Sequence, residues 1–133
     1  MIDCENEVFT RIAEKLRSEY EKINITGEYV NEPSAFPHVS IIMIDNSTIR
    51  SSLDGSSDYE AATVTFEINV YSNLQSGRKA QAKAIANMID KEFKDMNFMR
   101  IALLPMPNLV DSGLYRITGR YRGCCDGETF YRR

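Results

Sequence analysis

The sequence has few of the residues from which catalytic and metal sites are built. Its 133 residues include one histidine, His38, three cysteines and no tryptophan. A nucleophile needs an activating base, and a zinc site needs spaced pairs of cysteine or histidine ligands. His38 follows Pro37 at the entry to a hydrophobic segment, where it is expected to be structural and to hydrogen-bond a turn. We therefore predict no catalytic residue, no cofactor and no metal site, and we expect that the protein is not an enzyme.

The cysteines are too few and too poorly placed for a disulfide framework. The number of cysteines is odd, since the chain has only Cys4, Cys124 and Cys125. Cys124 and Cys125 are sequence neighbours, which cannot easily form a strain-free disulfide with each other. We expect reduced thiols. The start of the chain, Met1 to Glu7, is acidic and polar, unlike a secretory signal. These features predict a protein that is made and kept in a cytoplasm.

Long hydrophobic runs are also missing. The longest stretch without a full charge, Pro33 to Ile44, has about a dozen residues and two prolines, whereas a membrane span needs roughly 20 apolar residues. No transmembrane helix and no membrane partner are predicted. Hydrophobic residues nevertheless make up 43% of the chain, so one domain covering residues 1–133 can bury a core.

The net charge of −3 is small, but it is unevenly distributed. Residues 1–60 carry twelve acidic and five basic side chains, whereas residues 61–133 carry seven acidic and eleven basic ones. This asymmetry is compatible with ion pairs inside one fold. It would also suit head-to-tail contact between identical copies.

Two segments have the periodicity of amphipathic helices. Apolar residues recur at three- and four-residue steps in the first segment, roughly residues 4–22, and in a second one that begins at Gly77 and ends at Asn97. Gly77 to Lys79 could hold an anion at a helix start, but the spacing of a phosphate loop is absent. Solvated basic side chains are the simpler interpretation.

The remaining pattern predicts strands. A short extended run, Ile25 to Val30, precedes a strand that is apolar on both faces, and the clearest alternation spans Tyr59 to Tyr71. Between these two strands, a polar loop with the character of a mobile flap is expected. The predicted segments are the strand Val39 to Ile44, the loop Asp45 to Ser57, the strand Met99 to Leu104 broken by Pro105 and Pro107, and the strand Leu114 to Gly123. This order predicts an α+β fold with a largely antiparallel β-sheet and two helices packed on one face.

One row of basic residues stands out in the last strand. Arg116, Arg120 and Arg122 share a strand face because side chains two apart point the same way, and Arg100 is a candidate neighbour from the preceding strand. Such a row is compatible with nucleic-acid binding, but the pI of about 5.2 and the lack of a reader motif argue against sequence-specific recognition. Pairing with carboxylates is the commoner explanation, either with Glu67 across the sheet or with another copy.

Several segments together resemble a family of phage proteins. They are Asn31 to Val39, Phe66 to Asn73, the helix Gly77 to Phe93, Pro107-Asn108, and Tyr115 to Tyr121. In these segments the chain is similar to the tail terminators, also called tail completion or tail-to-head joining proteins, of tailed phages and prophages of Gram-positive bacteria. Another neck component, such as a head-completion, connector-ring or minor capsid protein, is the alternative, and a small nucleic-acid or ligand-binding module is a third.

The resemblance implies a structural virion protein located in the tail or neck and assembled in the host cytoplasm. Such a protein forms a hexameric ring on the tail tube, stops tube polymerisation and offers an interface to the head. The implied partners are other copies of the chain, the tail tube protein, a neck or connector protein and, in a contractile tail, a sheath protein. The resemblance implies no cofactor.

Combined with the charge asymmetry, the resemblance leads to a prediction about the subunit boundary. We expect Arg116, Arg120 and Arg122, with Arg100 as a fourth, to meet acidic residues of the next copy. The expected acidic partners lie in the polar loop or in the first helix, and the loop candidates are Asp45, Asp54 and Asp58. The alternative is that these arginines pair within their own subunit or face the lumen of the ring.

Overall fold

The computed structural model describes residues 4–28, 35–50, 60–106, 114–125 and 130–131. Their elements, in chain order, are α1 (Glu5–Glu19), β1 (Asn24–Thr26), β2 (His38–Arg50), β3 (Glu60–Ser72), α2 (Arg78–Asp95), β4 (Met99–Met106), β5 (Tyr115–Cys125) and β6 (Phe130–Tyr131). The strands form one sheet in the order β1-β2-β3-β5-β4, and β6 pairs with β5. Only the pair β1 and β2 is parallel among these described strands. The predicted α+β class is confirmed.

Both predicted helices form, and each buries the expected apolar stripe. In α1 the stripe includes Val8, Ile12 and Leu16, which are almost completely buried. The helix ends before Tyr20, whose backbone is extended, so it is shorter than the predicted 4–22. In α2 the chain enters through Gly77 at a φ of 87° and leaves through Asn97 at a φ of 65°, both in the left-handed region that glycine and asparagine tolerate best. The predicted end at Asn97 is therefore confirmed.

The core lies between the helices and one face of the sheet. Alternate residues of β3, including Phe66 and Ile68, are fully buried there, as the alternation predicted. Aromatic rings fill the region below α2, where Phe93 stacks on Tyr121 with centroids 4.3 Å apart and also contacts Phe98. A Cβ at Gly123 would lie 2.8 Å from the Phe98 ring, so any larger residue at this strand position would have to displace the ring or the strand.

The predicted loop from Asp45 to Ser57 is wrong in its first part. Residues 45–50 continue β2 and pair with the start of β3, after a register shift between Met43 and Asp45. The partner strand supplies backbone hydrogen bonds whatever the side chains are, so a polar sequence can still extend a ladder. Residues 51–57 lie outside the described residues, and so does the flap predicted there.

The predicted break at Pro105 is also wrong, since β4 continues through it to Met106. In the sheet order β4 pairs only with β5, and its other side is an edge in the described part of the chain. Proline is tolerated in an edge strand because the N–H that it lacks is not needed by a second neighbour. Pro107 lies outside the described residues.

Candidate functional site

The arginine row predicted in β5 forms on the sheet face opposite the helices. Ile117 and Tyr121 are buried toward the helices, whereas Arg120 and Arg122 are exposed and Arg116 is half-buried. We call the face that carries these three arginines the arginine face. The predicted alternation along β5 is therefore confirmed.

Strand pairing aligns the arginine face into rows that cross four strands. Residues directly opposite one another in neighbouring strands share a face and interact. The four rows, from β2 through β3 and β5 to β4, are His38-Tyr71-Arg116-Met106, Ser40-Asn69-Thr118-Leu104, Ile42-Glu67-Arg120-Ala102 and Asp45-Thr65-Arg122-Met99. Each arginine thus has a defined neighbour on β3.

Asn69 is the centre of a buried hydrogen-bond network on this face. Its Oδ1 accepts from Arg116 Nε at 3.1 Å, from Arg116 Nη2 at 2.8 Å and from Thr118 Oγ1 at 2.8 Å. Its Nδ2 donates to Ser40 Oγ at 3.3 Å. The Arg116 guanidinium also lies 5.6 Å from the centroid of the Tyr71 ring, within the range of a cation–π contact. Arg116 is therefore held by its own chain.

Arg120 forms an ion pair with the residue directly opposite it. Its Nη2 lies 3.2 Å from Glu67 Oε1, and its Nε donates to the same oxygen at 3.3 Å. The arginine side chain is 54% exposed and the glutamate 17%, so solvent screens much of the attraction. The sequence analysis gave two carboxylate partners for the arginine row, Glu67 across the sheet or another copy. The pairing of Arg120 with Glu67 is the first of these.

Arg100 does not join the arginine row. It pairs in register with Tyr121, which faces the helices, and its Nη1 lies 3.4 Å from Asp90 Oδ1 of α2. Asp90 also accepts a 2.8 Å hydrogen bond from the Tyr121 hydroxyl. Burial, together with this hydrogen bond, raises the pKa of Tyr121 well above its ordinary value. The placement of Arg100 beside the other arginines is therefore corrected.

Unlike Arg116 and Arg120, Arg122 makes no side-chain hydrogen bond or ion pair within the described part of the chain. It shares a row with Asp45, with Thr65 between them, so the two Cα atoms are about 10 Å apart across two strand spacings. Asp45 accepts from Ser47 Oγ at 3.3 Å. Asp54 and Asp58, the other predicted partners, lie outside the described residues.

His38 is buried at the β2 end of the first row. Its Nε2 lies 3.4 Å from Thr26 Oγ1, and its ring centroid is 5.7 Å from that of Tyr71. Desolvation lowers its pKa, so the ring is neutral at physiological pH. The contact with Thr26 joins β1 to β2, which is a structural role as predicted, although the partner is a strand residue rather than a turn.

The sequence analysis missed an apolar patch on the edge strand β4. Four of its large side chains are between 40% and 51% exposed, namely Met99, Ile101, Leu104 and Met106. The signal was present, because Met99 to Met106 is almost entirely apolar and does not alternate. Apolar residues on an edge strand are unusual, because an exposed edge is a template for association.

The described residues also bear on metal binding and on membrane insertion. In that part of the chain, no three His, Cys, Asp or Glu side chains are grouped to hold a metal ion, and no helix is long and apolar enough to cross a membrane. Cys4, Cys124 and Cys125 are thiols, as predicted. No family model matches the chain, and no curated protein matches it.

Proposed function

We propose that the chain is a structural virion protein of a tailed phage. In this proposal it is a tail terminator, which forms a hexameric ring on the tail tube, stops tube polymerisation and provides the interface to the neck. The resemblance of five sequence segments supports the proposal, and an α+β subunit of this size is compatible with it. The partners are other copies of the chain, the tube protein, a neck protein and, in a contractile tail, a sheath protein.

The sheet order is the observation that carries the proposal. The acidic first half of the chain forms α1, β1 and β2, which lie at one end of the order β1-β2-β3-β5-β4. The basic second half forms β5 and β4 at the other end, and α2 contacts both of them. Among these described elements the difference lies mainly at the basic end, because β4 and β5 carry four arginines and no carboxylate, whereas α1, β1 and β2 carry five acidic and four basic side chains. Opposite charge at two ends favours head-to-tail contacts, which close into a ring by rotation.

The arginines have unequal roles in this proposal. Arg116 and Arg120 are engaged within the chain, so contact with a neighbour would have to share or replace their partners. Arg122 has no such competitor in the described residues and is the sharpest probe of the predicted boundary. An exposed pair contributes about 0–1 kcal/mol, so these charges would set register while apolar contacts supply affinity.

Deletion of the gene tests the proposal. A tail terminator mutant should give overlong tails without attached heads in electron micrographs, and expression of the wild-type chain should restore one tail length. Tails of normal length beside full but leaky heads would assign the chain to the neck instead. Salt-dependent DNA retardation by the purified chain, lost in Arg120→Ala, would favour a nucleic-acid-binding module.

A further inference from the structure

An apolar surface lies at the basic end of the sheet. Leu104, one of the exposed side chains of β4, borders a groove of about 250 Å³ between α2 and the strands β4 and β5. Leu103, Leu104 and Tyr115 line the groove, and Lys83 of α2 provides a positive charge. We call Leu103, Leu104, Tyr115 and Lys83 the β4 patch. Pro105 removes a backbone donor from this edge, so the patch offers side chains rather than a full strand ladder.

A cavity of similar size lies at the acidic end. It has a volume of about 230 Å³ and is lined by α1, by Gly27 and by β2. Phe9 and Ile41 form its apolar walls, and Glu5 and Asn6 provide its polar rim. We call it the α1 cavity. Space remains beside Gly27, because a Cβ there would have only ordinary contacts, at 3.8 Å from Phe9 and from the Ile41 carbonyl oxygen.

We propose that the β4 patch of one copy docks into the α1 cavity of a second copy, with Lys83 facing Glu5. This inference rests on the proposed function only in requiring head-to-tail contact between copies. Leu104, which is 46% exposed, is the projecting side chain, and the α1 cavity is the apolar recess that receives it. The patch and the cavity lie at opposite ends of the same sheet, so a docked pair of copies leaves one patch and one cavity unused.

The charges favour a second copy as the occupant. A positive residue borders the patch and a negative residue borders the cavity, as in the wider asymmetry between the two halves of the chain. If two β4 patches faced each other, Lys83 of one copy would lie close to Lys83 of the other. If two α1 cavities faced each other, the two Glu5 carboxylates would lie close together. Unlike ends therefore attract, whereas like ends repel.

Two matched pairs of variants test the contact. Leu104→Asp places a charge in the β4 patch, and Leu74→Asp is its control, because Leu74 is 42% exposed but lies outside β4. Gly27→Leu fills the α1 cavity, and Gly27→Ala is its control. The Gly27 backbone is not left-handed, so neither substitution strains it, and a Cβ at this position meets only ordinary contacts.

Sedimentation velocity at low salt measures the outcome. The wild type and both controls should form oligomers as concentration rises, whereas Leu104→Asp and Gly27→Leu should raise the apparent dissociation constant at least about tenfold. A one-to-one mixture of these two defective variants should form heterodimers and nothing larger, because one retains an intact cavity and the other an intact patch. Lys83→Glu and Glu5→Lys should each weaken association, and the double variant should restore it.

Three results would overturn the inference. They are a wild type that stays monomeric up to about 1 mM, defective variants that associate like the wild type, or a Gly27→Leu chain that associates normally while Leu104→Asp does not. The last result would indicate two β4 patches facing each other. Normal tail length in a phage that carries Leu104→Asp would refute this contact alone. If the purified chain associates as predicted but deletion of its gene leaves tail length unchanged, the proposed function alone is refuted.

Discussion

Replacing Asn69 by leucine tests whether the arginine face is organised from within the subunit. Leucine has the branched shape of asparagine but no polar atom, so the change removes the hydrogen bonds, and its two methyl groups add some volume at the site. Asn69 is fully buried, and its amide connects Arg116 and Thr118 of β5 to Ser40 of β2. The substitution therefore removes the side-chain link between β2, β3 and β5, which remain paired through their backbones.

The expected loss follows from the bonds that Asn69 makes. A hydrogen bond from a charged donor contributes about 1.5–3 kcal/mol, and each of the neutral bonds with Thr118 and Ser40 about 0.5–1.5 kcal/mol. Burial of the leucine side chain returns about 1–2 kcal/mol. Because Arg116 is only half-buried, it regains some solvation. The net destabilisation should be about 2–4 kcal/mol.

Urea unfolding followed by circular dichroism measures this loss. Asn69→Leu should lower the midpoint by about 1–2 M with an unchanged m-value. The control is Asn69→Asp, whose carboxylate still accepts from Arg116 and Thr118 and can accept from the Ser40 hydroxyl, so it should cost less than about 1.5 kcal/mol. The reasoning fails if Asn69→Leu changes stability by less than about 0.5 kcal/mol, or if the aspartate costs as much as the leucine.

Three further predictions concern other parts of the molecule. Gly123→Ala should destabilise the chain by about 1–3 kcal/mol, because its Cβ would lie 2.8 Å from the Phe98 ring. Gly27→Ala is the control and should be nearly neutral, so equal melting temperatures of the two variants would contradict this prediction. Burial lowers the pKa of His38 below 6.5, so the unfolded chain binds more protons as the pH falls below about 6.5. The free energy of unfolding should therefore fall between pH 7.5 and 5.5, and by less in His38→Gln; identical slopes would refute this. Arg122→Glu should weaken ring assembly on tail tubes at low salt but not at high salt, with unfolding unchanged, and assembly at the wild-type level in low salt would remove Arg122 from the boundary.

Periodicity explains which parts of the fold could be predicted from the sequence. The helices were readable because their buried residues recur every three or four positions, and β3 and β5 because theirs alternate. The arginine row of β5 followed from the same alternation. The pairing of Arg120 with Glu67 is one of the options that the sequence predicts, because the side chains on one face of a strand lie opposite those on the same face of the neighbouring strand.

The parts that were missed depend on register and strand order, which a single segment does not encode. Arg100 lies on the helix side because β4 pairs it with Tyr121. Residues 45–50 extend β2 because β3 provides a partner for them. The exposure of Leu104 and the tolerance of Pro105 both follow from the edge position of β4, which only the assembled sheet defines.

The most direct test of the central claim is a tube-growth measurement. Purified chain is added to polymerising tail tube protein, and tube lengths are measured by negative-stain electron microscopy. Growth should stop, and a six-fold ring of this chain should lie at one end of each arrested tube. Tubes that continue to grow to the same lengths as without the chain, and carry no ring, would contradict it.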